Sequence, residues 1–400
     1  MTGVTATYEG RVSARGREAG AGRVRQDAAT AAPGRCGRVR RRPARAGAGR
    51  VRRHPVQAGA GRVRRHPVQA GAGRVRRRPV RDGVGRVRHD RGVTRRLMLL
   101  DTASLYFRAY FGVPDSVRAP DGTPVNAVRG LLDFIGRLVH DHRPDDLVAC
   151  WDEDWRPQWR VDLIPSYKAH RVAVETETGP DEEEIPDTLA PQVPVIEEVL
   201  AALGIARIGA AGYEADDVIG TLAERAKGPV DIVTGDRDLF QLVDDERAVR
   251  VLYPRKGVGD CDLVDDELIR AKYGVRPDRY ADFAALRGDA SDGLPGVKGI
   301  GEKTAAQLIT EYGDLAGVRA AAEDGTSKLT PAKRRGIVEA AAYLDVAPTV
   351  VRVARDVKLP DFDPALPAAP RDPAALDALA ARWNLGGAVN RLLPVLAGRG

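Results

Sequence analysis

Nine carboxylates in this 400-residue chain stand out by position. Asp101 follows the apolar run Leu97–Leu100, Asp152 follows Leu147–Trp151, and Asp236 and Asp238 follow Val230–Val233 in Thr-Gly-Asp-Arg-Asp. Glu214, Asp216 and Asp217 open a stretch of helical period after Ala206–Ile208, and Asp289 and Asp292 lie in the glycine-bounded turn Gly-Asp-Ala-Ser-Asp-Gly. Like charges aimed at one place in a partly dry cleft repel strongly and, unless protonated, need cations to coexist. No His or Cys set favours zinc, so oxygen ligands point to Mg2+ or Mn2+. Two such ions about 4 Å apart can clamp the attacking and leaving oxygens of a phosphodiester and generate hydroxide near neutral pH. The chemistry implied is phosphodiester hydrolysis.

Each acid alone has an ordinary explanation. Acids in a first helical turn complement the macrodipole, Asp101 or Asp152 can cap or turn a chain, and Asp289 with Asp292 can form an Asx turn. Their joint placement, alternating with strands in chain order, is what argues for a site.

Two further patterns suit a phosphate substrate. In Trp159-Arg-x-x-Leu-x-Pro-x-Tyr-Lys-x-x-Arg, Lys168 and Arg171 are one helical turn apart and can grip a phosphate, while Tyr167 can stack on an unpaired base. Gly293-Leu-Pro-Gly-Val-Lys-Gly-Ile-Gly-Glu-Lys-Thr reads as a glycine hairpin entering a helix near Glu302. Its Gly296, Lys298, Gly299, Gly301, Lys303 and Thr304 would bring backbone amides, a helix N-terminus and positive charge to nucleic acid. An ordinary helix-turn-helix bend is the plain alternative.

The elements that must position these groups follow from periodicity. Short apolar runs at Leu97–Leu100, Leu147–Trp151, Ala206–Ile208, Val230–Val233 and Val249–Tyr253 predict strands. Helical stretches at Asn126–His140, Ala215–Ala226 and Val264–Tyr273 predict the helices of an α/β fold with a mainly parallel central sheet. Its site belongs at the carboxyl ends of the strands. From Arg279 onward the chain reads as helices and loops, with a proline-rich connector at 359–373 and one last helical stretch at about Ala374–Leu396. Trp155–Pro194 is long for a connection, basic and aromatic at its start and acidic in its middle (Glu175, Glu177, Asp181–Glu184), the mark of a functional insertion or lid.

Composition breaks near residue 97. Residues 1–97 hold 27 Arg, no Lys and 5 acids, a net of +22, whereas the remainder carries 36 basic and 51 acidic residues, a net of −15. From Gly37 the unit GRVRR-x-P recurs every 12 residues. Lacking Phe, Trp and Ile, this array over 1–96 is expected to be disordered, a basic arm for nucleic acid phosphate. The alternative is that it is not made, because the only methionines are Met1 and Met98 and Met98 lies in the first strand. Three scattered cysteines, Cys36, Cys150 and Cys261, suit a reducing, cytoplasmic compartment, and no apolar run approaches the roughly 20 residues of a membrane span.

Met98-Leu-Leu-Asp-Thr-Ala-Ser-Leu, Tyr167-Lys-x-x-Arg, Gly212-Tyr-Glu-Ala-Asp-Asp-Val-Ile-Gly, Thr234-Gly-Asp-Arg-Asp-Leu and Gly288-Asp-x-Ser-Asp-Gly-Leu-Pro-Gly-Val-x-Gly-Ile-Gly-Glu-Lys-Thr-Ala together resemble one family. It is the 5′-3′ exonuclease domain of bacterial DNA polymerase I and its stand-alone flap-nuclease relatives, matched over about residues 97–397. The resemblance implies a 5′-nuclease core at 97–275, with an arch or clamp at 155–194, and a helical DNA-binding subdomain at 276–397 with its helix-hairpin-helix at 293–313. It also implies that the nine acids hold metal, with Asp101 and Asp236 central to catalysis. Lys168 and Arg171 would be electrophilic residues on the scissile phosphate, and Tyr167 a base-stacking residue. Two Mg2+ (or Mn2+) ions, a K+ at the hairpin, and substrates with 5′ DNA flaps or ends or RNA primers complete the expectation, for a monomer acting in replication and repair. The chain ends where polymerase and proofreading modules would begin, so only the stand-alone form applies.

Two departures from the family are visible, the acidic arch beyond Arg171 and the lack of polymerase and proofreading modules after the match, and the −15 of the domain repels DNA in bulk. A catalytically weak structure-specific DNA-binding protein is the alternative, although none of the nine acids is lost. An aspartyl-phosphate phosphatase wants an acid two residues after Asp101, where Ala103 stands.

Overall fold

The computed structural model describes residues 94–174 and 181–398. The array over 1–96, apart from its last three residues, lies outside the described residues, as do Glu175 and Glu177 of the insertion. In chain order the strands are β1 (Leu97–Asp101), β2 (Asp146–Cys150), β3 (Val172–Val174), β4 (Glu182–Glu183), β5 (Ala206–Ile208), β6 (Val230–Val233), β7 (Val249–Pro254) and β8 (Cys261–Val264). Six form one sheet in the order β5-β2-β1-β6-β7-β8, parallel except for β8, and β3 and β4 pair as a separate antiparallel hairpin.

Helices α1 (Thr102–Gly112), α2 (Asn126–His142), α3 (Gln158–Leu163), α4 (Gln192–Leu203) and α5 (Ala215–Arg225) fill the connections between parallel strands. After β8 come α6 (Asp266–Tyr273), α7 (Tyr280–Arg287), α8 (Glu302–Tyr312), α9 (Leu315–Glu323), α10 (Pro331–Glu339), α11 (Ala341–Val351), α12 (Pro373–Arg382) and α13 (Gly386–Ala397). No helix among the described residues is long and apolar enough to cross a membrane.

Strand side chains alternate between two cores, which is why the central runs are apolar on both faces apart from the ion-paired Asp231. Leu99, Val148 and Ile232 join α5 and the helices after β8, whereas Met98, Leu100, Leu147 and Ala149 join α2 and α4. On α2 the stripe Val128, Leu131, Leu132, Ile135, Leu138 and Val139 is wholly buried, as its period predicts. At the amino edge of the sheet Arg95 holds Asp146 on β2, while Arg96 and Arg250 hold the fully buried Asp231 on β6. These pairs pin β1 to both neighbours.

Several expectations need correction. β8 is a strand where only the helix from Val264 was expected; its exposed Leu263 and its polar Asp262 hide the pattern at an antiparallel edge. The last helical stretch is two helices, broken where Asn384 adopts φ 53°. By packing, α12 and α13 do not belong with the preceding helices: Leu376, Leu385, Val389 and Leu392 bury against α2 and α4 of the sheet core. The proline-rich connector carries them there, and its Ala365 bridges to Asp146 at the sheet. Lys168 and Arg171 do not share an α-helix, because Lys168 has φ 48° and a single 3-10 turn, Ala169–Arg171, follows it.

The turn after α7 is clasped to that segment. Lys168 N donates to the Asp292 carbonyl at 3.0 Å, and Ser166 Oγ donates to the Gly293 carbonyl at 2.7 Å. Gly293 has φ +69°, and a Cβ on it would fall 1.9 Å from the Ser166 carbonyl oxygen. Gly293→Ala is expected to cost about 1–3 kcal/mol of stability, read as a lowered Tm. An unchanged Tm would show that the clasp imposes no such constraint.

Candidate active site

A cavity of about 390 Å3 opens beyond the carboxyl ends of the parallel strands. Asp101, Asp152, Glu214, Asp216, Asp236 and Asp289 line it, together with Lys168, Arg171, Arg237 and Glu183. Asp238 and Asp292 border a smaller recess that shares Glu214 and Asp216. Thus eight of the nine expected acids gather around one place. Asp217 does not: it is fully buried beneath the floor, where both its oxygens accept from Arg160, at 2.8 and 2.9 Å.

Local structure aims each group. Asp101 ends β1 and caps α1 by accepting from Ser104 N at 3.2 Å, and Thr234 Oγ1 donates to its other oxygen at 2.6 Å. Asp152, two residues past β2, accepts from Ala215 N at 2.8 Å and so fixes the start of α5. Glu214 and Asp217 form a capping box around that start. Beyond β6, Asp236 N donates to Thr234 Oγ1 and Asp238 N donates to Asp236 Oδ1, each at 2.8 Å, so one tight turn presents both acids. Asp289 accepts from Ser291 N and from Arg287 Nη2.

Burial is the main electrostatic influence, and proximity of like charge adds to it. Burial pushes Asp101 up to about 7, with Asp152 and Asp236 adding to the rise and the Thr234 and Ser104 hydrogen bonds opposing it. Asp152, Asp216, Asp238 and Glu183 are also raised by burial, Asp216 further by Asp236 and Asp101, and Asp238 further by Asp236 and Asp292. Asp292 rises to about 6 through burial, opposed by Lys168. Glu214 is the exception: burial favours its neutral form, but Lys168 and Arg160 overcome that and hold it below the ordinary range. Lys168 correspondingly stays protonated against its own burial.

The basic segment differs from its expectation in one respect. Tyr167 is 4% exposed; its hydroxyl donates to Glu214 at 2.7 Å and its ring lies near Arg160 and Lys168, leaving no open face for a base. Lys168 pairs with Glu214, and Arg171 pairs with Asp292 at 3.0 Å. Gly296, Lys298, Gly299, Gly301, Lys303 and Thr304 are absent from the cavity lining. Buried Val297 and Ile300 anchor their loop, while Lys298, Gly299, Gly301 and Lys303 face solvent at the start of α8. A Cβ on Gly299 or Gly301 would touch nothing among the described residues, so their backbone amides are open to approach.

Three residues escaped the sequence reading. Arg160 bridges Glu214 and Asp217 and donates to the Val350 carbonyl at 3.1 Å; a lone arginine in a short helix gives no signal for this. Glu183 was one acid within an acidic run. Arg237 lay inside the recognised Thr-Gly-Asp-Arg-Asp, between the acids that drew attention.

The donor set fits hard divalent cations: the ligating candidates are carboxylate oxygens, among the described residues no His lines the cavity, and the acids outnumber the cations beside them. Among the described residues no three His, Cys, Asp or Glu side chains are yet gathered as one ion's ligands. The acids share a cavity without forming a coordination shell.

Residues 96–274 match the model for the 5′-3′ exonuclease N-terminal resolvase-like domain, and residues 275–373 match that for the 5′-3′ exonuclease C-terminal SAM fold. A Streptomyces coelicolor 5′-3′ exonuclease is 73% identical over 299 residues, covering 75% of this chain and 99% of the relative. A Mycobacterium tuberculosis 5′-3′ exonuclease is 49% identical over 309 residues, covering 75% and 97%. In fold the chain is similar to T5 5′-exonuclease with zinc bound, with TM-score 0.51 and 18% identity, covering 76% of this chain and all of that one.

The Asp101 shift has a testable sign. Its folded value of about 7 lies above the ordinary 3.8, so folded protein holds the proton more tightly than unfolded. That contribution to stability is complete below about pH 4 and is lost as pH rises through about 7. Without divalent metal, Asp101→Asn is expected to exceed the wild-type Tm only modestly near pH 5 and by several degrees more at pH 8, the gap opening from about pH 4. A gap that does not widen with pH would contradict the assignment.

Proposed function

The chain belongs to the 5′-3′ exonuclease family, and from that premise we propose that it is a divalent-metal-dependent phosphodiester hydrolase acting at the 5′ ends and flaps of DNA and on RNA primers. The observation that carries this reading is the cavity itself, where acids too many to be neutralised by their neighbours face Lys168 and Arg171. The kinship in fold with T5 5′-exonuclease, which binds divalent ions, supports it. So does T5 flap endonuclease in complex with DNA and metal ions, at TM-score 0.50, 17% identity and 76% of this chain covered.

Asp101, Asp152, Glu214, Asp216, Asp236, Asp238, Asp289 and Asp292 would hold two Mg2+ or Mn2+ ions, some of them through water, and the ions when bound supply Lewis acidity and an ionised water. The chain's own groups do the rest. Lys168 and Arg171 place fixed positive charge where negative charge develops on the phosphorus oxygens, and they are preorganised by Glu214, Asp292 and the Ser291 carbonyl. Arg160 keeps Glu214 and Asp217 in place from below. Thr234 orients Asp101 and, through its second hydrogen bond, the turn bearing Asp236. The 155–194 segment would guide a 5′ end to the cavity. Open amides at Gly299 and Gly301, with Lys298, Lys303 and Thr304, would grip duplex phosphates, a K+ ion assisting.

The test is cleavage of a 5′-labelled flap duplex by the full chain, with and without Mg2+. Wild type is expected to release short products with a 5′-phosphate only with the ion, and Asp236→Asn/Asp238→Asn to lose about a hundredfold or more in kcat. Cleavage that survives in the variant would move the site elsewhere, and flap binding without cleavage by wild type would favour a DNA-binding scaffold. Lys168→Ala is expected to lower kcat by about 10²-fold or more with little change in KM, as an interaction made chiefly in the transition state requires. Equal loss in binding and turnover would make Lys168 a phosphate anchor only.

A further inference from the structure

Of the cations lining the cavity, Lys168 and Arg171 are already matched by Glu214 and Asp292. The third, Arg237, forms no ion pair among the described residues. The cavity acid whose charge it feels, Asp289, is itself paired with Arg287 at 3.0 Å. Yet Arg237 is not loosely placed. Its neighbours Asp236 and Asp238 are joined by a backbone hydrogen bond of 2.8 Å, and its carbonyl accepts from Phe240 N at 3.0 Å, so its Cα is fixed in the turn that bears two site acids. Its exposed side chain lies beside Tyr280, Tyr273 and Tyr253, which belong to one aromatic cluster around Phe240. These tyrosines, with Tyr273 as a hydrogen-bond partner, flank the guanidinium without neutralising it.

An unmatched guanidinium beside a cavity built for a polyanion presents a planar fork suited to phosphate oxygens. The geometry points to Arg237 as a substrate-binding residue that grips a phosphodiester of the cleaved strand next to the one being cut. The inference rests on the proposed nuclease reading and deepens it by naming a contact that sets which linkage enters the site.

The experiment compares wild type, Arg237→Gln and Arg237→Lys on a 5′-flap duplex, using substrates in which one linkage at a time near the cut is an uncharged methylphosphonate. Arg237→Gln is expected to raise KM about tenfold with kcat within about twofold, the scale of one lost charge-assisted contact, and Arg237→Lys to recover part of it. One neutral linkage, and no other, should weaken wild type while leaving Arg237→Gln unaffected. If KM is unchanged in Arg237→Gln, the inference falls while the nuclease reading stands. If the variant instead lowers Tm and loses activity equally on every substrate, Arg237 serves only to offset its acidic neighbours, and the inference also falls. No cleavage by wild type would overturn the nuclease reading first.

Discussion

Carboxylates sunk beside one another in a protein wall cannot all stay ionised without positive charge among them, and the architecture around this cavity is organised by that difficulty. Lys168, Arg171 and Arg160 answer Glu214, Asp292 and Asp217 directly. Asp101, Asp152, Asp216 and Asp238 receive no such partner among the described residues and are pushed toward their neutral forms by burial and by neighbouring acids. A fold would not sink so many acids together for stability, since well-packed apolar side chains of similar volume would cost less. The arrangement makes sense as a receptor for divalent cations and, through them, for a phosphate backbone that the −15 of residues 98–400 would otherwise repel.

Three devices hold the acids in that unfavourable company. The parallel register sets Asp101 level with Cys150 and brings the ends of β1, β2 and β6 to one edge. Beneath them, Arg160 ties the start of α5 to α11 through the Val350 carbonyl, so the floor cannot relax outward. From the helical side, the Asp289–Gly293 turn clasps the Ser166–Lys168 backbone, coupling the two cations to the sheet edge. The site therefore draws on stretches far apart in sequence.

Much of this was legible in the amino-acid order, for a physical reason. Strands buried on both faces are mostly apolar, so an acid just past the end of such a run is conspicuous; Asp101, Asp152 and Asp236 stood out in that way. The family resemblance rested on the same short motifs and agrees with the comparisons. What stayed hidden depends on tertiary contact. Nothing local separates Tyr167 as a buried donor to Glu214 from Tyr167 as an exposed stacking platform, and nothing local marks Asp217 as the partner of Arg160 rather than a cavity acid. Helices α12 and α13 read correctly as helical, but their apolar faces do not say which layer they cover; the Ala365–Asp146 bridge decides it.

The central claim is that burial and mutual repulsion hold protons on the cavity acids, and that divalent ions displace them. Calorimetric titration of the full chain with Mn2+ near pH 6.5, in two buffers of different ionisation enthalpy, measures this directly, because any proton released appears as a buffer-dependent heat. The account expects ion binding accompanied by net proton release that diminishes by pH 8.5, above the value of about 7 for Asp101 and of about 6 for Asp292. Binding with no release of protons at pH 6.5, or no binding at either pH, would contradict it.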